Sequence, residues 1–130
     1  MIERYSRPEM ARIFSEEGKY ARWLEVELAV CEVHAERGLI PPAALAAIHA
    51  RAEVDPARVA EIEERVRHDV IAFTTALAER IGPDSRYVHY GLTSSDVLDT
   101  ALALQVRDAG QILAAGVERL RRVLVRRTRE

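Results

Sequence analysis

Residues 93–130, TSSDVLDTALALQVRDAGQILAAGVERLRRVLVRRTRE, contain no proline, and Gly110 and Gly116 are their only strong helix-weakening residues. The stretch reads as one helix from Thr93 to the last residue, more than about 50 Å long at 1.5 Å per residue. Its apolar positions Leu98, Leu102, Val106, Ala109, Leu113, Val117, Leu120 and Leu124 step by 4, 4, 3, 4, 4, 3 and 4. That eleven-residue repeat gives about 3.67 residues per turn, so the stripe stays on one face without left-handed supercoiling. Leu104, Ile112, Val123 and Val125 widen it beyond a single seam. The residues before it could cover only part of such a rod, so partner helices are expected from elsewhere: a longer protein of which this is a fragment, or an obligate oligomer. The sequence also stops within a helical pattern, with neither a Gly or Asn stop nor a polar linker. Arg119, Arg121, Arg122, Arg126, Arg127 and Arg129 suit the negative end of a helix dipole and read as a solvated or inter-helix charged face.

Working back along the chain, proline and capping residues divide residues 1–92 into short helices. Pro8 opens one that reaches Phe14, with the residues before it expected to be extended. Ser15 is an N-cap for a helix from Glu16 to about Arg37, closed by Gly38. On it Tyr20, Trp23, Leu24, Leu28, Cys31 and Ala35 form an apolar stripe interrupted by Glu27, and Cys31 reads as a small buried hydrophobe. Pro41–Pro42 start a helix to about Ala52, Asp55–Pro56 start another to about Val66, and a further one runs from Asp69 to about Arg80. IGPDSRYVHYGL, residues 81–92, is the longest irregular stretch. The predicted fold is all-α, with residues 1–92 as an amino-terminal helical domain.

Composition agrees and narrows the function. With 130 residues, 48% apolar, a core is possible; 5% aromatic residues and few Gly and Pro disfavour a sandwich or barrel. Nineteen Lys and Arg against 21 Asp and Glu leave a net charge of −2, which argues against a sequence-independent nucleic-acid surface. No apolar run approaches the roughly 18–20 residues of a membrane span, and the first residues lack the apolar stretch expected of a signal peptide. The single cysteine offers neither a disulfide nor a zinc site, so a cytoplasmic setting is expected.

Three polar segments could gather around an anion: Arg4-Tyr5, Arg67-His68-Asp69, and His89 leading into Thr93-Ser94. Thr93-Ser94-Ser95-Asp96 has the form of a capping box. The same helix start also offers free N–H groups and a positive dipole end beside two hydroxyls, which suit a carboxylate or phosphate. His68 before Asp69 reads either as a cap with an exposed imidazole or as an acid or anion-pairing group that shares a ligand with Arg67. His34 and His49 have no companion polar cluster in sequence and receive no chemistry.

Four segments in order, RYSRPEM, WLEVELA, RHDVIAF and YVHYGLTSSDVLDTA, together resemble the amino-terminal portion of the adenylosuccinate lyase family within the fumarase/aspartase superfamily, from Arg4 to about Gln105. YGLTSSDVLDT is the most diagnostic; the TSSD form after HYG is less like argininosuccinate lyase or fumarase. The resemblance implies that residues 93–130 begin the central helical bundle. It also implies β-elimination of fumarate from adenylosuccinate, giving AMP, and from the succinylamino-imidazole-carboxamide nucleotide of purine synthesis, with no metal or organic cofactor. Such a reaction needs a base beside a carboxylate, an acid for the departing nitrogen, and groups that stabilise a dianionic intermediate.

By the same resemblance, Arg4 and Tyr5 contact the nucleotide end, Arg67, His68 and Asp69 form a second substrate cluster, and His68 is the catalytic candidate that supports the acid step. Thr93 and Ser94 bind the succinyl portion, with His89 near the same pocket. The family is homotetrameric, three subunits contributing to each site. Its second histidine and its serine-bearing loop, the source of the base, have no counterpart here, so the 130 residues alone are expected to be inactive. Rival readings are a non-enzymatic helical assembly module and another superfamily lyase acting on a different succinyl or carboxymuconate substrate.

Overall fold

Proline and capping side chains set the start of each helix in the structure, a computed structural model that describes residues 3–130. After a 3-10 turn at Glu3–Tyr5 come α1 (Pro8–Ile13), α2 (Glu16–Glu36), α3 (Pro42–Arg51), α4 (Pro56–Val66), α5 (Asp69–Ile81), a second 3-10 turn at Pro83–Tyr87, and α6 (Ser94–Arg127). Among the described residues there is no strand. The Ser15 hydroxyl accepts the Gly18 N–H at 3.0 Å, and the Asp55 carboxylate accepts the amides of Ala57 and Arg58 at 3.0 and 3.4 Å. Both therefore satisfy N–H groups that have no partner within the helix. Gly38 follows α2 with φ +75°, a left-handed conformation that only glycine adopts readily.

Two expectations change. The described residues before Pro8 are not extended as a group: Glu3–Tyr5 form a 3-10 turn, while Arg7, at φ −71° and ψ 143°, is β-like. The steric restriction imposed by proline reaches only the residue immediately before it. The carboxyl-terminal helix stops at Arg127, where the amide and hydroxyl of Thr128 turn back to the carbonyls of Leu124 and Val125.

The core lies between α2 and the α3–α5 layer. Phe73 of α5, fully buried, stacks on Tyr20 at 5.9 Å between centroids and meets Trp23 edge-on at 5.3 Å. Ile48, Val59, Ile62, Leu77 and Ile81 extend this cluster, and Cys31 is buried within it. Helix α6 packs along α2 and touches α1, adding Val97 and Ala101 to the same core. The two long helices run antiparallel, since Arg22 pairs with Asp108 while Val26 and Val30 lie opposite Asp96 and Thr100.

The buried row of α6 is Val97, Ala101, Gln105 and Ala109. Val97, Ala101 and Gln105 each sit one residue before a member of the apolar stripe seen in sequence, roughly a quarter-turn away at 3.6 residues per turn, and Ala109 belongs to the stripe itself. The small alanines let α6 approach closely, and Gln105 satisfies its buried amide on the Ile13 carbonyl at 2.6 Å. Most of the stripe stays exposed, from Leu102 at 52% to Val117 at 68%, while Leu98 is half-buried and Ala109 buried.

Candidate functional site

Segment 82–92 leaves the end of α5 and returns to the start of α6, and its position is set by a buried carboxylate. Glu27, in the apolar stripe of α2, is 1% exposed. Its Oε2 accepts the backbone N–H of His89 at 2.8 Å, and its Oε1 lies 2.6 Å from His89 Nδ1. A buried charge is costly unless paired and hydrogen-bonded, and here both oxygens are. The clasp holds His89 at φ 64°, unusual for a residue with a side chain. A second brace comes from His34, whose Nε2 lies 3.1 Å from the Tyr90 carbonyl and whose ring meets Tyr90 edge-on.

At the start of α6 a capping box forms between Thr93 and Asp96. The Asp96 carboxylate accepts the Thr93 amide at 2.7 Å and the Thr93 hydroxyl at 2.9 Å. These two bonds, with a smaller contribution from the nearby His89, hold the Asp96 carboxyl below its ordinary range. Thr93 is exposed and Ser94 half-buried.

The Arg67–His68–Asp69 cluster sits at the corner between α4 and α5. Arg67 closes α4 in a left-handed conformation, φ 54°, with an exposed side chain. His68 is the N-cap of α5: its Nδ1 accepts the Ile71 N–H at 3.3 Å and lies 3.5 Å from Asp69 Oδ1. Nδ1 in the accepting role places the proton of a neutral ring on Nε2. The cap and the exposed imidazole are thus the same residue, and the capping role leaves Nε2 available.

Arg4 and Tyr5 form the first 3-10 turn, with the guanidinium 4.9 Å from the Tyr5 ring centre. Tyr5 borders a groove against the middle of α6, formed with Met10, Ile112, Gly116, Val117 and Leu120.

Within one chain these three places lie on different elements. His68 caps one end of α5, a 13-residue helix about 20 Å long, and the segment carrying His89 departs from the other end. Among the described residues no hydrogen bond or ion pair joins the Arg67–Asp69 corner to His89 or Thr93. The arrangement can offer an imidazole, a guanidinium and a helix start to an anionic ligand. No group of three or more His, Cys, Asp or Glu suited to a metal occurs among the described residues, and no helix of the described residues is long and apolar enough to cross a membrane.

Sequence reasoning missed Glu27, although a carboxylate inside an apolar stripe was its visible signal. It also left His34 and His49 without partners; His34 braces Tyr90, and His49 lies 3.2 Å from Glu32 on α2. The carboxyl-terminal arginines form a solvated face in which Glu118 pairs with Arg121 and Arg122, and Glu130 with Arg127.

Residues 3–130 match the lyase family. The chain is 55% identical over 120 residues, 92% of its length, to adenylosuccinate lyase of Synechocystis sp., and 45% identical over all 130 residues to adenylosuccinate lyase of Bacillus subtilis. It spans 28% and 30% of those two relatives. Among solved structures it is similar to a fumarate lyase from a Mesorhizobium species, with a TM-score of 0.82 and 30% identity over 92% of this chain and 30% of that one. It is also similar to the 3-carboxy-cis,cis-muconate lactonizing enzyme of Pseudomonas putida, with a TM-score of 0.77 and 36% identity over 85% of this chain and 27% of that one. The helical architecture and the match across residues 3–130 agree with the motifs read from sequence: the chain belongs to the lyase family, within the fumarase/aspartase superfamily.

Proposed function

We propose that this chain is the amino-terminal part of an adenylosuccinate lyase, a carbon–nitrogen lyase that eliminates fumarate from adenylosuccinate and from the succinylamino-imidazole-carboxamide nucleotide. The observation that carries the reading is the identity of 45–55% to enzymes of that name across 92–100% of this chain. In the elimination a base takes a proton beside a carboxylate, the carbon–nitrogen bond breaks, and an acid protonates the departing nitrogen. His68 supports that acid step, with Arg67 and Asp69 beside it. Thr93 and Ser94 bind the succinyl portion at the positive end of α6, close to His89. Arg4 and Tyr5 contact the nucleotide end. No metal or organic cofactor takes part.

Residues 1–92 form the amino-terminal domain, and residues 93–130 begin the central bundle of a cytoplasmic homotetramer with shared active sites. The exposed apolar residues of α6, from Leu102 to Leu124, support sharing. The isolated 130 residues are inactive, because base and second histidine come from later segments. Neither nucleic acid nor membrane is a partner.

The test is fumarate release by the complete protein from each nucleotide. His68→Ala is expected to lower turnover by about 10²-fold or more, the scale of acid–base support. Near-normal turnover in that variant would return His68 to a capping role. The structural likeness to a carboxymuconate enzyme favours one alternative, another lyase of the superfamily. Turnover of a carboxymuconate with no fumarate released from either nucleotide would establish it.

A further inference from the structure

Glu27 is the only charged side chain in the buried core of the described residues, and both of its oxygens go to one residue, His89. An ionised carboxylate only accepts hydrogen bonds. The His89 nitrogen facing Oε1 therefore carries a hydrogen, which assigns Nδ1–H inward and turns Nε2 outward. The ring keeps about a quarter of its surface exposed, and Nε2 makes no hydrogen bond among the described residues. The ring is close enough to the start of α6 to act on Asp96. Left-handed backbone at His89 persists only where the surroundings over-determine it, and the Glu27 bond to the His89 amide does so.

We propose that Glu27 is a positioning residue for the substrate site: its buried carboxylate fixes the orientation and proton placement of His89, so that Nε2 is presented beside the start of α6. The inference rests on reading that helix start as the place where the succinyl portion binds. Tuning of a functional imidazole through the hydrogen bond of its other nitrogen is a general device.

Glu27→Gln in the complete enzyme separates proton placement from packing. The amide keeps the shape of the carboxylate but has one accepting oxygen and one donating NH₂. The His89 backbone N–H can only donate, so the amide oxygen must take it. The NH₂ then faces Nδ1, which must be bare, and the ring proton moves to Nε2. Donor and acceptor on the exposed side are exchanged without a change in volume.

The expected result is a fall in kcat/KM of about 10- to 100-fold, the scale on which such supporting partners act, with the oligomer intact. Glu27→Asp, which keeps an acceptor-only group, should retain more activity than Gln. In a His89→Ala background the Gln substitution should have no further effect. Wild-type kcat/KM in Glu27→Gln, the same fold-loss with and without His89, or wild-type kcat/KM in His89→Ala would each overturn the proposal. Should Glu27→Gln fail to assemble, the ¹⁵N shifts of histidine-labelled wild-type enzyme decide it, with the His89 signal identified by its loss in His89→Ala. Protonated Nδ1 is expected, and a bare Nδ1 overturns the assignment. Failure of the wild-type enzyme to release fumarate from either nucleotide would refute the functional reading alone, because the ¹⁵N measurement still reports on the ring.

Discussion

Gly18, in the first turn of α2, is where helix propensity and tertiary packing make opposite demands. By propensity alone Gly18→Ala should stabilise the helix by about 1 kcal/mol. A Cβ built there would lie 2.2 Å from the Arg12 carbonyl oxygen and 2.8 Å from that of Ile13. Ordinary contact begins near 3.4 Å, and both atoms are backbone at the end of α1, so neither can swing aside like a flexible side chain. Such overpacking costs about 1–3 kcal/mol. The same two carbonyls accept the Ser15 hydroxyl at 3.1 Å and the Gln105 amide at 2.6 Å. Moving them weakens bonds that contribute about 1 kcal/mol each. The net expectation is a loss of about 2 kcal/mol, read as a lower urea midpoint at an unchanged slope. Because α1 leads back to the Arg4–Tyr5 turn, its displacement should also open residues 6–15 to proteolysis. An unchanged or raised midpoint would refute the close approach of α1 to α2.

Three further outcomes follow from the packing and the site. Phe73→Ala removes a fully buried ring between Tyr20 and Trp23 and should cost about 3–5 kcal/mol by chemical unfolding; a cost below 1 kcal/mol would mean that α5 is not anchored there. Thr93→Ala should lower helix stability by about 1 kcal/mol through the weakened cap and raise the KM of the complete enzyme, whereas lowered stability with an unchanged KM would leave Thr93 a cap alone. Burial, and then the charges of Glu27 and Glu32, push the Cys31 thiol from 9.0 up to about 11. Below about 9 folded and unfolded chains both hold the proton; from there to about 11 only the folded chain does, so stability falls as pH rises through that window. Thermal melts at pH 8 and 10.5 should show the fall, and alkylation of Cys31 at pH 8 should be slow until the protein unfolds; rapid alkylation of the folded protein would contradict the burial.

Helix starts were the most legible feature because their causes are local. Ser15, Pro42, Asp55–Pro56 and Thr93 act through bonds or dihedral restrictions that reach no further than three residues. The polar segments of the candidate site were legible for a related reason: each is contiguous in sequence, and its residue types declare what they can donate or accept. The stripe of α6 could be seen, together with its need for partners, but not the buried row one residue earlier. Val97, Ala101 and Gln105 are mixed in character, and only the opposing surfaces of α1 and α2 select them.

Sequence by itself determined that the chain is helical, where the helices begin, that the carboxyl-terminal rod carries more apolar surface than its own neighbours can cover, and which segments carry polar chemistry. Tertiary structure alone decided that Glu27 clasps His89 across 62 positions of chain and that Gly18 must lack a side chain. The difference is one of range. Capping, turns and periodicity act between residues a few positions apart, whereas a buried carboxylate or a tight helix crossing derives its energy from atoms brought together only once the chain has folded.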